Sequence, residues 1–147
     1  MKYIKGLKYQ LAANISCQTQ LFGYNIDTPE YSLTPDGILT GKKWFAWDGC
    51  TWSFDTDTNH RAGLFHDIGC LMVARGELLR ETLTYFNALF KTHCKEDGMW
   101  AARAWWHFEA ITKHFANNRS PDRRKVITLN IPSIEKAKSI DEWDNWL

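Results

Sequence analysis

No Cys-x-x-Cys pair occurs in the chain, whose four cysteines at 17, 50, 70 and 94 are separated by 33, 20 and 24 residues. That spacing excludes a zinc ribbon and a thioredoxin-type redox motif. Net charge is nearly absent too, with eighteen Lys and Arg against seventeen Asp and Glu. Dedicated nucleic-acid binders are usually strongly basic, so nucleic acid is not the expected partner, although Arg119, Arg123, Arg124 and Lys125 with Trp100 or Trp106 have the residue types of a stacking site. No apolar run approaches a membrane span, and Met1-Lys2-Tyr3-Ile4-Lys5-Gly6 lacks the apolar core of a signal peptide. A reducing cytoplasm with free thiols is the expected setting. What the chain has in quantity is rings: eight Trp, eight Phe and five Tyr in 147 residues. With 44% hydrophobic and 24% charged residues, the composition excludes disordered and collagen-like classes and predicts one domain over 1–121 with an extension over 122–147.

The chain changes character near residue 58. Before it, turn signals at Thr28-Pro29, Thr34-Pro35-Asp36-Gly37 and Trp47-Asp48-Gly49 separate short alternating stretches, which predict three to five strands in a small antiparallel sheet. After it the apolar period becomes helical. A first helix is predicted over 59–75, capped by Asp57, Thr58 and Asn59 and stopped by Gly76; a second over 77–94 carries Leu79, Leu83, Phe86 and Phe90. Asp97-Gly98 breaks the chain and caps a third, whose stripe reads Ala101, Ala104, Trp105, Phe108, Ile111, Thr112 and Phe115. The fold class read from this pattern is α+β, a β-rich half packed on three helices. His93, His107 and His114 fall at helix ends or faces and are expected to be solvated.

The C-terminal end is acidic and aromatic. Trp143, Trp146 and Leu147 would share one side of a helical turn while Asp141, Glu142 and Asp144 keep the other side wet, so a docked tail is expected, on its own domain or on a partner. Seven Lys or Arg against two acids over 113–138, and a net charge of −4 over 26–58, give the chain complementary regions suited to assembly, including self-assembly.

One constellation could carry chemistry. Ala62-Gly63-Leu64-Phe65-His66-Asp67-Ile68-Gly69-Cys70 places His66 and Asp67 about 100° apart on a helix, where they should serve different partners, and puts His66 and Cys70 on one face. Two interior glycines predict that another backbone comes close, with the turn Trp47-Asp48-Gly49-Cys50-Thr51-Trp52 the candidate. On a purely structural reading, Asp67 accepts amide hydrogens from the Asp48-Gly49 turn and His66 donates to a carbonyl. A transition-metal set of Cys50, His60, His66, Asp67 and Cys70 has suitable ligand types but no recognised spacing.

Asp48-Gly49-Cys50-Thr51, followed sixteen residues after Cys50 by His66-Asp67 and then by two further helices, resembles a family of small phage and prophage proteins of unknown function. The resemblance covers roughly residues 36–112. That family reads D-G-A-S-x-P, then A-x-x-x-H-D-x-x-Y, then A-D-x-x-F. Here Thr51 stands for the serine, Cys70 for the tyrosine, and Leu83 for the acid three positions before Phe86, so an acid orienting His66 would have to come from Glu81 or Asp97. The resemblance implies a virion or host-cytoplasmic protein whose partners are phage structural or host proteins; the residues expected to make contact are Asp48, Gly49, Cys50 and Thr51 of the turn and, from the tail outside the resemblance, Trp143 and Trp146. The layout is also similar to that of phospholipase A2. That second likeness implies an alternative, a small metal-assisted hydrolase with His66 as base and Asp67 and Asp48 as calcium ligands.

Overall fold

The computed structural model describes residues 3–5, 9–47 and 56–117. Its α+β class agrees with the sequence pattern, but the β-rich half is divided differently. Instead of one sheet of three to five strands, there are seven short strands in two antiparallel sheets among the described residues. One sheet joins β1 (Tyr3–Lys5), β2 (Tyr9–Leu11) and β7 (Ala46–Trp47) in that order. The other has the order β3 (Ile15–Gln18), β6 (Ile38–Gly41), β5 (Tyr31–Leu33), β4 (Ile26–Asp27).

The division follows from a backbone turn after β6. Phe45 donates its N–H to the Lys42 carbonyl across 3.0 Å, and Trp44 sits at φ 77°, a left-handed conformation that redirects the chain from one sheet to the other. Leu11 then exchanges backbone hydrogen bonds with Trp44 and Phe45 at 2.8 and 2.9 Å, attaching the new direction to β2. The Thr34-Pro35-Asp36-Gly37 turn forms where the sequence places it, with Gly37 N–H on the Thr34 carbonyl at 2.9 Å. Alternation sorts the strands' faces: Cys17 and Leu39 pair on the inner side, while Ser16 and Thr40 meet hydroxyl to hydroxyl at 2.7 Å on the outer one.

Three helices follow among the described residues: α1 (His60–Ala74), α2 (Thr82–Glu96) and α3 (Ala101–Asn117). α1 is the central element. It is buried nearly all round, with Leu64, Phe65, Ile68, Leu71 and Met72 meeting Leu11, Tyr31, Leu33, Leu39 and Trp47 of the sheets and Phe86 of α2 in one core. At its start, Asn59 caps backwards rather than forwards, its Oδ1 accepting the Thr56 N–H at 2.9 Å. It ends as the sequence indicates. Gly76 takes φ 76°, and the Gly76 and Glu77 amides return to the Val73 and Met72 carbonyls at 3.0 and 2.9 Å, the double closure that a left-handed residue permits.

Two other helix expectations need correction. The second helix starts at Thr82 and not at 77, because the turn closing α1 uses Gly76 and Glu77 and a further turn, Thr82 N–H on the Leu79 carbonyl, precedes α2, leaving Leu79 outside the helix and exposed. Asp97 does not cap α3. Asp97 and Gly98 close α2, with Gly98 and Met99 donating to Lys95 and Cys94, and it is the Trp100 carbonyl that accepts the first α3 amides.

Two charged clusters tie the layers together. Arg75, just past α1, grips Glu30 at 2.8 Å and the Tyr31 hydroxyl at 3.1 Å, and that hydroxyl donates to Glu77 at 2.6 Å. Arg61 at the start of α1 reaches Glu96 at 2.6 Å and both Asp97 oxygens at 3.0 and 3.1 Å. The turn at 48–51 and the C-terminal tail with Trp143, Trp146 and Leu147 lie outside the described residues. Among the described residues, no helix is long and apolar enough to cross a membrane.

Candidate functional site

α1 and α2 approach closely at Gly69. A Cβ there would lie 2.3 Å from Cγ of the buried Phe86 ring, so the missing side chain is what lets the ring in. Gly69 therefore marks a close approach, as the sequence suggests, and at this glycine the approaching group is a ring of α2 and not a backbone; residues 48–52 of the candidate turn lie outside the described residues.

This approach brings two buried polar residues face to face. His66 Nε2 lies 2.9 Å from Asn87 Oδ1. An amide oxygen only accepts, so Nε2 carries the hydrogen and donates. The other ring nitrogen, Nδ1, lies beside residues further along α1, 3.8 Å from Cys70 Sγ and 3.8 Å from Asp67 Oδ1. Phe90 closes the site with an edge-on contact, ring centres 5.9 Å apart. Burial opposes a positive charge on this imidazole, but the Cys70 sulfur and the Asp67 carboxylate beside Nδ1 outweigh it and hold the His66 pKa well above its ordinary value.

Several site expectations change on this geometry. His66 donates to a side-chain amide on α2 rather than to a backbone carbonyl. His66 and Asp67 approach each other despite their angular separation on the helix. Neither proposed orienting acid reaches His66: Asp97 is taken up by Arg61, Glu81 is exposed, and Asn87 fills the role. Asn87 was missed by sequence reasoning, although Leu83, Phe86, Asn87 and Phe90 follow a helical i, i+3, i+4, i+7 stripe on which a polar residue stands out. Asp48, Gly49, Cys50 and Thr51 lie outside the described residues, and so does the expected tie between Asp67 and their turn. Among the described residues, no three His, Cys, Asp or Glu side chains converge on a metal position, and His60 packs edge-on against Tyr9 with ring centres 4.6 Å apart.

A second candidate region is α3. Its inward side is Ala104, His107, Phe108 and Ile111, not the stripe through Trp105, because His107 stacks on Phe90 with ring centres 6.3 Å apart. His93 and His107 are buried rather than solvated; burial lowers the pKa of both, helped by Arg61 at His93 and by Arg103 at His107. The rotation of α3 turns rings outward. Trp100 is 72% exposed and Trp105 and Trp106 are each 54% exposed.

No known family model matches the chain, and no curated protein or solved structure is found to be similar to it.

Proposed function

We propose that the protein works through protein contacts, as a phage or prophage accessory component of a virion or its assembly, and that the outer face of α3 is its docking surface. The observation carrying this reading is the exposure of Trp105 and Trp106, neighbours about 100° apart that flank the side of α3 opposite Ala104 and Ile111. Scattered exposed hydrophobics are ordinary; two adjacent half-exposed tryptophans on one helix face are the residue type that anchors contact sites. Covering the half-exposed Trp105 and Trp106 rings removes on the order of 250 Å² of apolar surface, worth about 6 kcal/mol before the costs of association.

The occupant that fits is the last segment of a neighbouring copy. Trp143 and Trp146 there alternate with Asp141, Glu142 and Asp144, and the face they would meet carries exposed Lys113, paired with Glu109 at 3.7 Å, with Arg103 at its margin. The 26 residue steps from Asn117 to Trp143 span up to about 90 Å when extended, ample for reaching another molecule. The placement in a virion or its assembly rests on the motif resemblance over 36–112.

Sedimentation velocity on the full chain tests the reading. The wild type should self-associate at micromolar concentrations, and Trp105→Gln with Trp106→Gln should weaken that association about a hundredfold, as should Trp143→Ala with Trp146→Ala. A wild type that stays monomeric, or association indifferent to both pairs, would refute it.

A further inference from the structure

Cys70, His66 and Asn87 form a connected series whose chemistry the contact role does not use. We propose that Cys70 is a base-assisted nucleophile that accepts an acyl group from a thioester or activated ester, with His66 as its general base and Asn87 as the residue positioning the ring.

The argument starts with the tautomer. Asn87 Oδ1 holds the hydrogen on Nε2 at 2.9 Å, which leaves Nδ1 to exchange a proton with the thiol of Cys70, 3.8 Å away, within reach for a bond involving sulfur. A nucleophile, a base beside it and a third group orienting the base is the logic of nucleophilic catalysis, and Cys-His-Asn is one of its recurring forms on unrelated folds. Helix geometry supplies the first contact, since 66 and 70 are one turn apart on α1; the α1–α2 approach at Gly69 supplies the second. The thiols differ in their surroundings. Cys94 is buried, Cys17 and Cys70 are part-exposed, and Cys70 has the His66 ring beside it; burial pushes the Cys17 and Cys94 thiols up to about 12 and keeps them protonated. The Asp67 carboxylate at 3.8 Å favours the imidazolium that forms when the proton moves.

The step runs from the neutral ring, which its raised pKa makes the stronger base: Sγ attacks the acyl carbon as its proton passes to His66 Nδ1, and the bond from that carbon to the leaving sulfur or oxygen breaks. The imidazolium returns the proton to the leaving group. Water then attacks the Cys70 thioester, gives its proton to His66 and releases the acid, after which the ring reprotonates the thiolate. No oxidant or cofactor enters the balance.

The test uses p-nitrophenyl acetate on the intact chain, following p-nitrophenolate release and mapping acetyl groups by peptide mass spectrometry. Acetylation should appear on Cys70 ahead of Cys17 and Cys94, vanish in Cys70→Ala, and slow about a hundredfold in His66→Gln. Positioning is tested separately. Asn87→Asp, which keeps an acceptor, should retain the rate and Asn87→Leu should lose it, with circular dichroism confirming that both are folded. Acetyl groups on Cys50 or on lysines in place of Cys70, a rate unchanged by His66→Gln, or equal rates in the two folded Asn87 variants would overturn the proposal.

Discussion

Replacing Gly69 by alanine sets two effects against each other with opposite signs. Helix propensity favours the substitution, since glycine inside a helix costs about 1 kcal/mol relative to alanine. Packing opposes it. The new methyl would lie 2.3 Å from Cγ and 2.5 Å from both Cδ atoms of Phe86, at the root of a fully buried ring that has no free end to swing away. Overpacking a tight core costs about 1–3 kcal/mol, and a contact this close belongs at the upper end. The net expectation is a loss of about 2 kcal/mol, or roughly 8 °C in Tm at about 4 °C per kcal/mol for a domain of this size. Urea unfolding of both proteins measures it, and adding Phe86→Leu should recover most of the loss, which identifies the ring as the cause. If Gly69→Ala proved as stable as the wild type, or more so, propensity would have won and the close α1–α2 approach would be wrong.

Two further expectations follow from the buried histidines. His93 and His107 are held below their ordinary pKa, so they bind protons more readily unfolded and stability should fall as pH drops below about 6.5. His66 has the opposite sign: its pKa is raised, so its stabilisation is complete below about pH 6.5 and is lost as pH rises through the folded value. Urea midpoints between about pH 5 and 8.5 should therefore decline on both sides of a maximum near 6.5, with His66→Gln flattening only the alkaline side; a monotonic profile would contradict the assignment. Nitrogen-15 NMR of the His66 ring should show a protonated Nε2 whether or not Nδ1 is protonated, and a bare Nε2 would break the Asn87 link.

The parts of this molecule that were legible in the sequence are those where one residue settles the local geometry. Gly76 and the Thr34-Pro35-Asp36-Gly37 turn did so, and the helix around Leu83, Phe86 and Phe90 announced its buried side. The two sheets did not, because strands of two to four residues are too short for alternation to register, and the switch between them depends on a left-handed tryptophan that no propensity anticipates. The phase of α3 was ambiguous for a different reason. Ala104, Trp105, Trp106, His107 and Phe108 offer apolar or aromatic groups in every direction, so the ring stacking of His107 on Phe90 decides which side turns inward. At the site, the His66 and Cys70 pairing on one helix face was readable from their spacing of four. The Asn87 link was not, because it depends on the register between two helices.

Hydrogen exchange on the full-length protein at two concentrations, a few micromolar and some fifty times higher, bears most directly on the central claim that α3 presents a docking surface. Peptides covering 100–113 should gain protection at the higher concentration, together with peptides covering 139–147, while the β5–β6 hairpin stays unchanged. Identical exchange across 100–113 at both concentrations would contradict the account, leaving the outward tryptophans of α3 without a partner in a second copy.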